Sequence, residues 1–274
     1  MSINFSDRDF QRLSALVYAK SGIHLHEKKK ELMRSRLGKR LRATGSRNFE
    51  EYYGYLIQYD DGRELVQMLD AITTNKTSFF REPSHFTFLH DNVFPVYQRS
   101  RRRPVKLRLW SAGCSSGEEP YSMAISILEY FRKPFPLDCR ILATDISTAI
   151  LERAREGIYQ ENKLGALPIT VMRRYFKRGY GKREGFYQVK ENLREMVTFG
   201  HLNLMESFEF KHPFDAIFCR NTMIYFDKDT QARLVKRFHH CLAPGGYLFI
   251  GHSESLAGLE QPFAYVQPSI YRKA

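Results

Sequence analysis

Cysteine is scarce. The four that occur, Cys114, Cys139, Cys219 and Cys241, lie far apart and form no Cys-x-x-Cys pair. That excludes a structural zinc site of the usual spacing and suits a reduced compartment. Long apolar runs are missing too: none approaches the ~18 residues that a bilayer span needs. The first residues, Met1-Ser2-Ile3-Asn4-Phe5-Ser6-Asp7, show no charged region followed by an apolar one, so no secretory signal is expected. These absences together predict a cytoplasmic chain with no membrane insertion. Acid is the minority charge: 30 Asp and Glu stand against 43 Lys and Arg, a net +13. Such an excess favours acidic partners, whether nucleic acid, an anionic membrane or an acidic protein surface, and does not choose among them.

What is present is enough for a folded core. An apolar fraction of 43% and an aromatic fraction of 14% over 274 residues fit one large domain or two modest ones. The chain changes character near residue 100. Residues 1–75 read as a helical, basic domain. Ser6 is a candidate N-cap, Phe10, Leu13, Leu16 and Val17 keep helical spacing, and Gly22 is a stop. Phe49 to Leu56 and Glu64 to Ile72 read as further helices. Residues 76–104 form a linker, whose basic run Arg99 to Arg103 before Pro104 predicts an exposed connection. From 105 to 274 short apolar runs predict strands: Val105–Ala112, Cys139–Thr144, Met196–Leu202, Phe214–Cys219 and Tyr247–Gly251. Helical stretches such as Pro120–Phe131 and Lys228–Leu242 separate most of them. That alternation is the mark of an α/β, mostly parallel sheet covered on both faces. Phe263–Val266 and Ser269–Tyr271 predict a closing antiparallel hairpin. Between about 160 and 195 the rhythm breaks. A helical piece, Leu167–Phe176, precedes a glycine-punctuated hairpin from Phe176 to Val189, turning through Gly179, Gly181 and Gly185. This predicts a small inserted antiparallel β-subdomain.

The chemistry concentrates at strand ends. The first strand runs into Ser111-Ala-Gly113-Cys-Ser-Ser-Gly117-Glu118-Glu119-Pro120. Pro120 suits the first turn of a helix, where its missing N–H costs nothing. A strand, a glycine loop and a helix in succession bring backbone close to a nucleotide-like ligand. No Gly-Lys-Ser/Thr follows, which excludes a Walker A loop, and only two glycines stand where the dinucleotide motif has three. The second strand ends in Asp145, placed to take ribose hydroxyls or to cap the helix that follows. It comes later after Gly113 than the ~20 residues of the dinucleotide fold. The fourth strand ends in Arg220-Asn221-Thr-Met-Ile-Tyr225-Phe226, a polar cluster that is costly to bury unless its members meet a ligand or one another. Further upstream, Lys28 to Arg42 carries Met33, Leu37 and Leu41 on one helical stripe. Lys28, Lys39 and Arg42 fall roughly opposite, with Arg36 to the side.

Several blocks, in order, resemble one family. Thr73-Thr74-Asn75-Lys-Thr77-Ser78-Phe79-Phe80-Arg81-Glu82, Ser115-Ser-Gly117-Glu118-Glu119-Pro120-Tyr121-Ser122, Ala143-Thr144-Asp145-Ile146-Ser147 and Phe218-Cys219-Arg220-Asn221 with Tyr225-Phe226 look like the chemotaxis receptor methyltransferases, the CheR family. Ala243-Pro244-Gly245-Gly246 and Gly251-His252-Ser253-Glu254 resemble it as well. The resemblance implies a class I S-adenosylmethionine-dependent methyltransferase fold behind a small helical domain. It implies transfer of a methyl group to glutamate side chains on chemoreceptor cytoplasmic helices, with S-adenosylhomocysteine as the second product and no metal. Carried onto this sequence, Asn75, Thr77 and Arg81 close over the cofactor. Glu118 and Asp145 sit near its amino-acid and ribose ends, beside the Gly113 loop. Asn203, Leu204, Arg220 and Asn221 line its adenine and methionine sides. Arg81 and Tyr225 lie nearest the transferred methyl. The glycine hairpin would be the subdomain with which some members grip a receptor's C-terminal pentapeptide. Lys28, Arg36, Lys39 and Arg42 would steer a glutamate-rich helix.

Two other functions compete. An RNA methyltransferase would share the cofactor fold and the charge. However, an Asn/Asp-Pro-Pro-Tyr/Phe turn, expected of amino-directed base methyltransferases, is absent at Arg220-Asn221-Thr222-Met223, and no aromatic platform is interleaved with residues 28–42. A non-catalytic cofactor-binding signalling module is the other, against which Arg81, Asp145 and Tyr225 argue. Neither nucleic acid nor a metal is expected as a partner.

Overall fold

The computed structural model describes residues 4–73, 75–100, 104–131, 136–165 and 167–274. Thr74, and 101–103 of the expected basic connection, lie outside the described residues. Four helices come first: α1 (Asp7–Ser21), α2 (Lys30–Thr44), α3 (Phe49–Gln58) and α4 (Arg63–Ile72). Ser6 caps α1 as its position predicts. Its hydroxyl accepts the Asp9 amide while the Asp9 carboxylate accepts the Ser6 amide, a reciprocal cap. Gly22, at φ 70°, ends the helix in the left-handed region. Leu13 and Val17 of α1 share a core with Met33, Leu37 and Leu41 of α2 and with Tyr52 of α3. The basic helix therefore buries the predicted stripe. Inside, Glu64 accepts from Arg40 Nε at 2.9 Å and from the Tyr52 hydroxyl at 2.7 Å.

An irregular stretch follows α4, then α5 (Pro83–Phe88), one π-helical turn (Leu89–Val93) and α6 (Phe94–Gln98). The remaining chain builds two sheets. Its strands are β1 (Val105–Ala112), β2 (Leu137–Asp145), β3 (Ile158–Gln160), β4 (Phe176–Arg178), β5 (Phe186–Val189), β6 (Val197–His201), β7 (Phe214–Cys219), β8 (Leu242–Ile250), β9 (Phe263–Gln267) and β10 (Ile270–Lys273). Its helices are α7 (Glu118–Tyr130), α8 (Thr148–Glu156), α9 (Ile169–Tyr175), α10 (Glu191–Arg194) and α11 (Lys228–Cys241). The larger sheet has the order β6-β2-β1-β7-β8-β10-β9. Its first five strands pair in parallel, and β10 is antiparallel to both β8 and β9. This is the expected mostly parallel sheet with a closing hairpin.

Alternation along β1 feeds a core on each face of that sheet. Leu107 and Leu109 pack with Tyr121, Met123 and Ile127 of α7. Trp110 and Ala112 pack with Leu234, Val235 and Phe238 of α11 and with the N-terminal helices. The helical domain is thus joined to the sheet through one of its two cores. The smaller sheet, in the order β3-β5-β4, is antiparallel throughout. The hairpin of β4 and β5 lies where the glycines predict it, with Gly181 and Gly185 at positive φ. The third strand, β3, is three residues long and carries no alternation to read.

Candidate active site at the switch point

The strand order reverses at β1, which has β2 on one side and β7 on the other. In open α/β sheets ligands bind beyond the carboxyl ends of the strands at such a point. A cavity of about 320 Å³ lies there.

The glycine loop makes one wall. The Gly113 and Cys114 amides donate to the Thr144 carbonyl at 2.8 and 2.9 Å, tying the end of β1 to the end of β2. Gly113 has φ 86°, and a Cβ there would stand 2.4 Å from Thr222 Oγ1, so a side chain has neither the conformation nor the space. Ser115, at φ 49°, donates its amide to Asp145 Oδ2 at 2.8 Å, and the Ser147 amide reaches Oδ1 at 3.0 Å. Asp145 lines the cavity and is 9% exposed. Burial pushes its carboxyl above the usual range, the two amides oppose that, and the nearby Asp70 carboxylate adds to it. Both Asp70 carboxylate oxygens are buried with no hydrogen-bond partner among the described residues.

Arg220 organises the second wall. It leaves β7 with its side chain only 2% exposed and pairs with two carboxylates, Nη1 with Glu119 at 3.0 Å and Nη2 with Glu82 at 3.1 Å. Glu119 also accepts from the Ser111 hydroxyl at 2.6 Å. Burial pushes the Glu119 carboxyl up, with Arg220 and Ser111 opposing. Next along the chain, Asn221 is held at φ 57°. The Glu254 carboxylate accepts the Asn221, Ile224 and Gly251 amides and so fixes the loop that carries Tyr225. Glu254 is likewise pushed up by burial, against those same backbone donors.

Asn75, at the end of the helical domain, with Thr77 and Arg81 of the linker, forms the third wall. Arg81 Nη1 donates to the Lys76 carbonyl at 2.9 Å, which closes this turn on itself. The helical domain supplies the fourth. The His24 amide donates to the Tyr225 carbonyl at 2.8 Å, and Asn203 Nδ2 donates to the Lys20 carbonyl at 2.7 Å. Leu204, Tyr225 and His26 also line the space, and exposed Lys29 and Lys76 stand at its rim.

Nine of the ten expected cofactor residues, and Tyr225, therefore share one cavity. The tenth does not. Glu118 is 1% exposed, its carboxylate accepts from the Ser116 hydroxyl at 2.6 Å, and it is not part of the wall. Its neighbour Glu119 is, because one residue along a helix turns the side chain by about 100°. Of the basic residues, Lys28, Lys39 and Arg42 are exposed. Arg36 is occupied: Nη1 donates to the Ile72 and Thr73 carbonyls at 2.6 and 2.9 Å, capping the end of α4 where a cation is favoured. Gly179, Gly181 and Gly185 lie in the β-subdomain, apart from the cavity. Glu82, Glu119, Glu254 and His24 were not among the expected site residues. Glu82, Glu119 and Glu254 stand in the blocks that carry the resemblance, Glu119 also as the second acid of the first turn of α7, and His24 stands in none. Behind Arg220, Glu82, His85 and His252 form a group whose donor atoms lie within 4.8 Å of one another.

The cavity suits S-adenosylmethionine. Its lining offers the Asp145 carboxylate as a hydrogen-bond acceptor, the Glu119 carboxylate as a second acid, and a left-handed turn at Gly113 where no side chain stands. Comparison with known proteins agrees. The all-alpha domain of CheR methyltransferases matches residues 8–73, and their S-adenosylmethionine-binding domain matches residues 75–272. A chemotaxis protein methyltransferase of Borreliella burgdorferi is 42% identical across 100% of this chain and 96% of its own length. The one from Salmonella typhimurium is 41% identical across 97% and 90%, and that of Escherichia coli is 40% identical across 97% and 91%.

Proposed function

This chain belongs to the CheR methyltransferase family and is an S-adenosylmethionine-dependent methyltransferase of chemotaxis; on that premise we propose that its acceptors are glutamate side chains of chemoreceptor cytoplasmic helices, converted to γ-glutamyl methyl esters in the cytoplasm. The observation that carries this reading is the meeting of Arg81 and Tyr225 in one cavity whose rim bears Lys29 and Lys76.

When bound, the cofactor supplies a methyl group on a sulfonium. What the protein must add is geometry, because an in-line displacement depends on alignment. A glutamate carboxylate, with a reference pKa near 4.3, is already ionised at neutral pH and needs no general base. The guanidinium of Arg81, one of its donors spent on Lys76, keeps others to orient that carboxylate. Its task is to place the nucleophile without neutralising it. Tyr225, held through its carbonyl by His24, brings a hydroxyl to the same space. Arg220, paired with Glu82 and Glu119, serves as scaffold for the wall it lines.

Exposed Lys28, Lys39 and Arg42 would steer a glutamate-rich helix toward the rim. Reversing Lys39 and Arg42 together to Glu is expected to raise KM for receptor about tenfold and leave cofactor affinity unchanged, since both side chains lie outside the cavity. Steady-state kinetics on receptor-rich membranes check this, and an unaltered KM would remove the docking role. The β-subdomain offers the exposed Tyr180 and Phe186 beside its outer strand β4, a surface on which a receptor's C-terminal pentapeptide could add as a strand. Calorimetric titration with such a peptide tests that part separately. The central test offers labelled S-adenosylmethionine to receptor membranes and to RNA. Base-labile label in receptor protein is expected; label only in RNA, or none, overturns the reading.

A further inference from the structure

Glu82, the partner of Arg220, joins three segments around the cavity. It follows Arg81 directly, and its backbone is held at φ 55°, a left-handed conformation that strains a non-glycine residue. Its Oε2 accepts from Arg220 Nε at 3.3 Å and pairs with Nη2 at 3.1 Å. Its Oε1 accepts from Asn221 Nδ2 at 3.4 Å and from the His252 amide at 3.2 Å. The Arg81 carbonyl in turn accepts from Arg220 Nη2. The turn that carries Arg81 is therefore closed at Lys76 and hung at its other end from the strand-end loops of β7 and β8.

His85 backs this arrangement. It is fully buried, neither ring nitrogen has a hydrogen-bond partner among the described residues, and Nδ1 faces Glu82 Oε2 at 3.6 Å. The His252 ring approaches the same oxygen at 4.0 Å. Two imidazoles and a carboxylate at such spacing match a metal-ligand set. Yet the oxygen that both rings face already carries the Arg220 guanidinium, and a second cation there would have to displace it.

We propose that Glu82 is a positioning residue that holds the Arg81 guanidinium over the acceptor site, and that Glu82, His85 and His252 are a charge-satisfied hub and not a metal centre. The first part rests on the reading of Arg81 as the group that orients the acceptor. Burial pushes the Glu82 carboxyl up, and Arg220 and the His252 amide outweigh it, so Glu82 stays ionised. Burial and Arg220 push His85 down to about 3, leaving its ring neutral. Glu119 faces Arg220, Ser111 and Glu82, and Glu82 adds to its upward shift. Glu119 lines the cavity, so where its ionised form is the active one, removing the Glu82 charge moves the acid limb of activity to lower pH.

The test is Glu82→Gln in the full chain, measured by single-turnover transfer to receptor membranes between pH 5 and 8 and by calorimetric binding of S-adenosylmethionine. The rate is expected to fall about 100-fold, the scale of a misplacement near 1 Å. Cofactor affinity should stay within about threefold, and the acid limb should move down. Glu82→Asp, which keeps the charge, should regain most of the rate with the limb unmoved, and it carries the test if the glutamine variant does not fold. A glutamine variant with the wild-type rate overturns the proposal, as does a loss of cofactor affinity equal to the loss of rate. Stoichiometric zinc binding that His252→Ala abolishes overturns the hub. Wild-type protein that transfers nothing to receptor fails the functional reading, a result distinct from an active wild type beside an unaffected variant.

Discussion

Replacing Arg220 with leucine is expected to lower folding stability by about 3–5 kcal/mol and to leave no measurable methyl transfer. The guanidinium is 2% exposed and answers two carboxylates, Glu82 and Glu119, whose side chains are only 11% and 13% exposed. Breaking a buried pair costs far more than the pair contributes, because the partner is left charged and unsolvated. Here two partners are left. The pH dependence follows with a definite sign. Arg220 is what opposes the upward push of burial on both acids, so in the leucine variant both folded-state pKa values rise. A carboxyl whose folded pKa is raised favours the folded state most when protonated, below its unfolded pKa, and that contribution is lost as pH climbs through the folded value. The stability gap between variant and wild type should therefore be widest near pH 7.5 and narrow toward pH 5. Urea midpoints at a series of pH values check this, and a gap independent of pH would show that Arg220 acts through packing alone. The triple variant Arg220→Leu, Glu82→Gln, Glu119→Gln should recover part of the lost stability, since no buried charge is then unpaired, while remaining inactive.

The same network shows where the sequence was readable. Val105–Ala112 and Phe214–Cys219 were predicted with the boundaries observed for β1 and β7, because central parallel strands are continuous apolar runs bounded by polar turns. β8 was expected from Tyr247 and begins at Leu242. Pro244 and two glycines hide its first half, and its pairing with β7 shifts register between Phe214 and Ala216, which is how the strand tolerates them. At the site, Asp145 and Arg220 were legible because a polar residue ending an apolar strand needs a reason. Glu118 and Glu119 were not separable, since a helix must be phased before one of two adjacent acids can be aimed. Arg36 read as a surface cation, and only the arrival of α4 beside α2 turns it into a helix cap. Glu82 stands in a resembling block, but its partners were unreadable: they lie 138, 139 and 170 residues away, and no local pattern encodes them.

Asp145→Ala should have the second large effect, a loss of S-adenosylmethionine affinity of about 100- to 1,000-fold. Asp145 ends β2 beside the Gly113 loop, and its carboxylate already collects two backbone amides, Ser115 and Ser147. Each oxygen keeps a lone pair for a ribose hydroxyl. Charge-assisted hydrogen bonds contribute about 1.5–3 kcal/mol apiece, and two of them near the lower limit account for the expected range. Alanine also frees the Ser115 amide, which Asp145 now holds in a left-handed turn, so the loop that shapes the cavity loses its anchor to β2. The pH sign is again fixed. Hydroxyl donors bind the ionised carboxylate, whose pKa burial and Asp70 raise, so affinity in the wild type should fall as pH drops through that raised value. Asp145→Asn keeps one acceptor oxygen and cannot ionise. Its affinity should be lower than wild type at pH 7.5, and the part of the acid dependence due to this residue should disappear. Calorimetry on the three proteins between pH 5 and 8 decides the matter. If alanine binds within about threefold of wild type, Asp145 only ties down the Ser115 and Ser147 amides, Ser147 itself being the cap of α8, and the ribose must lie elsewhere in the cavity.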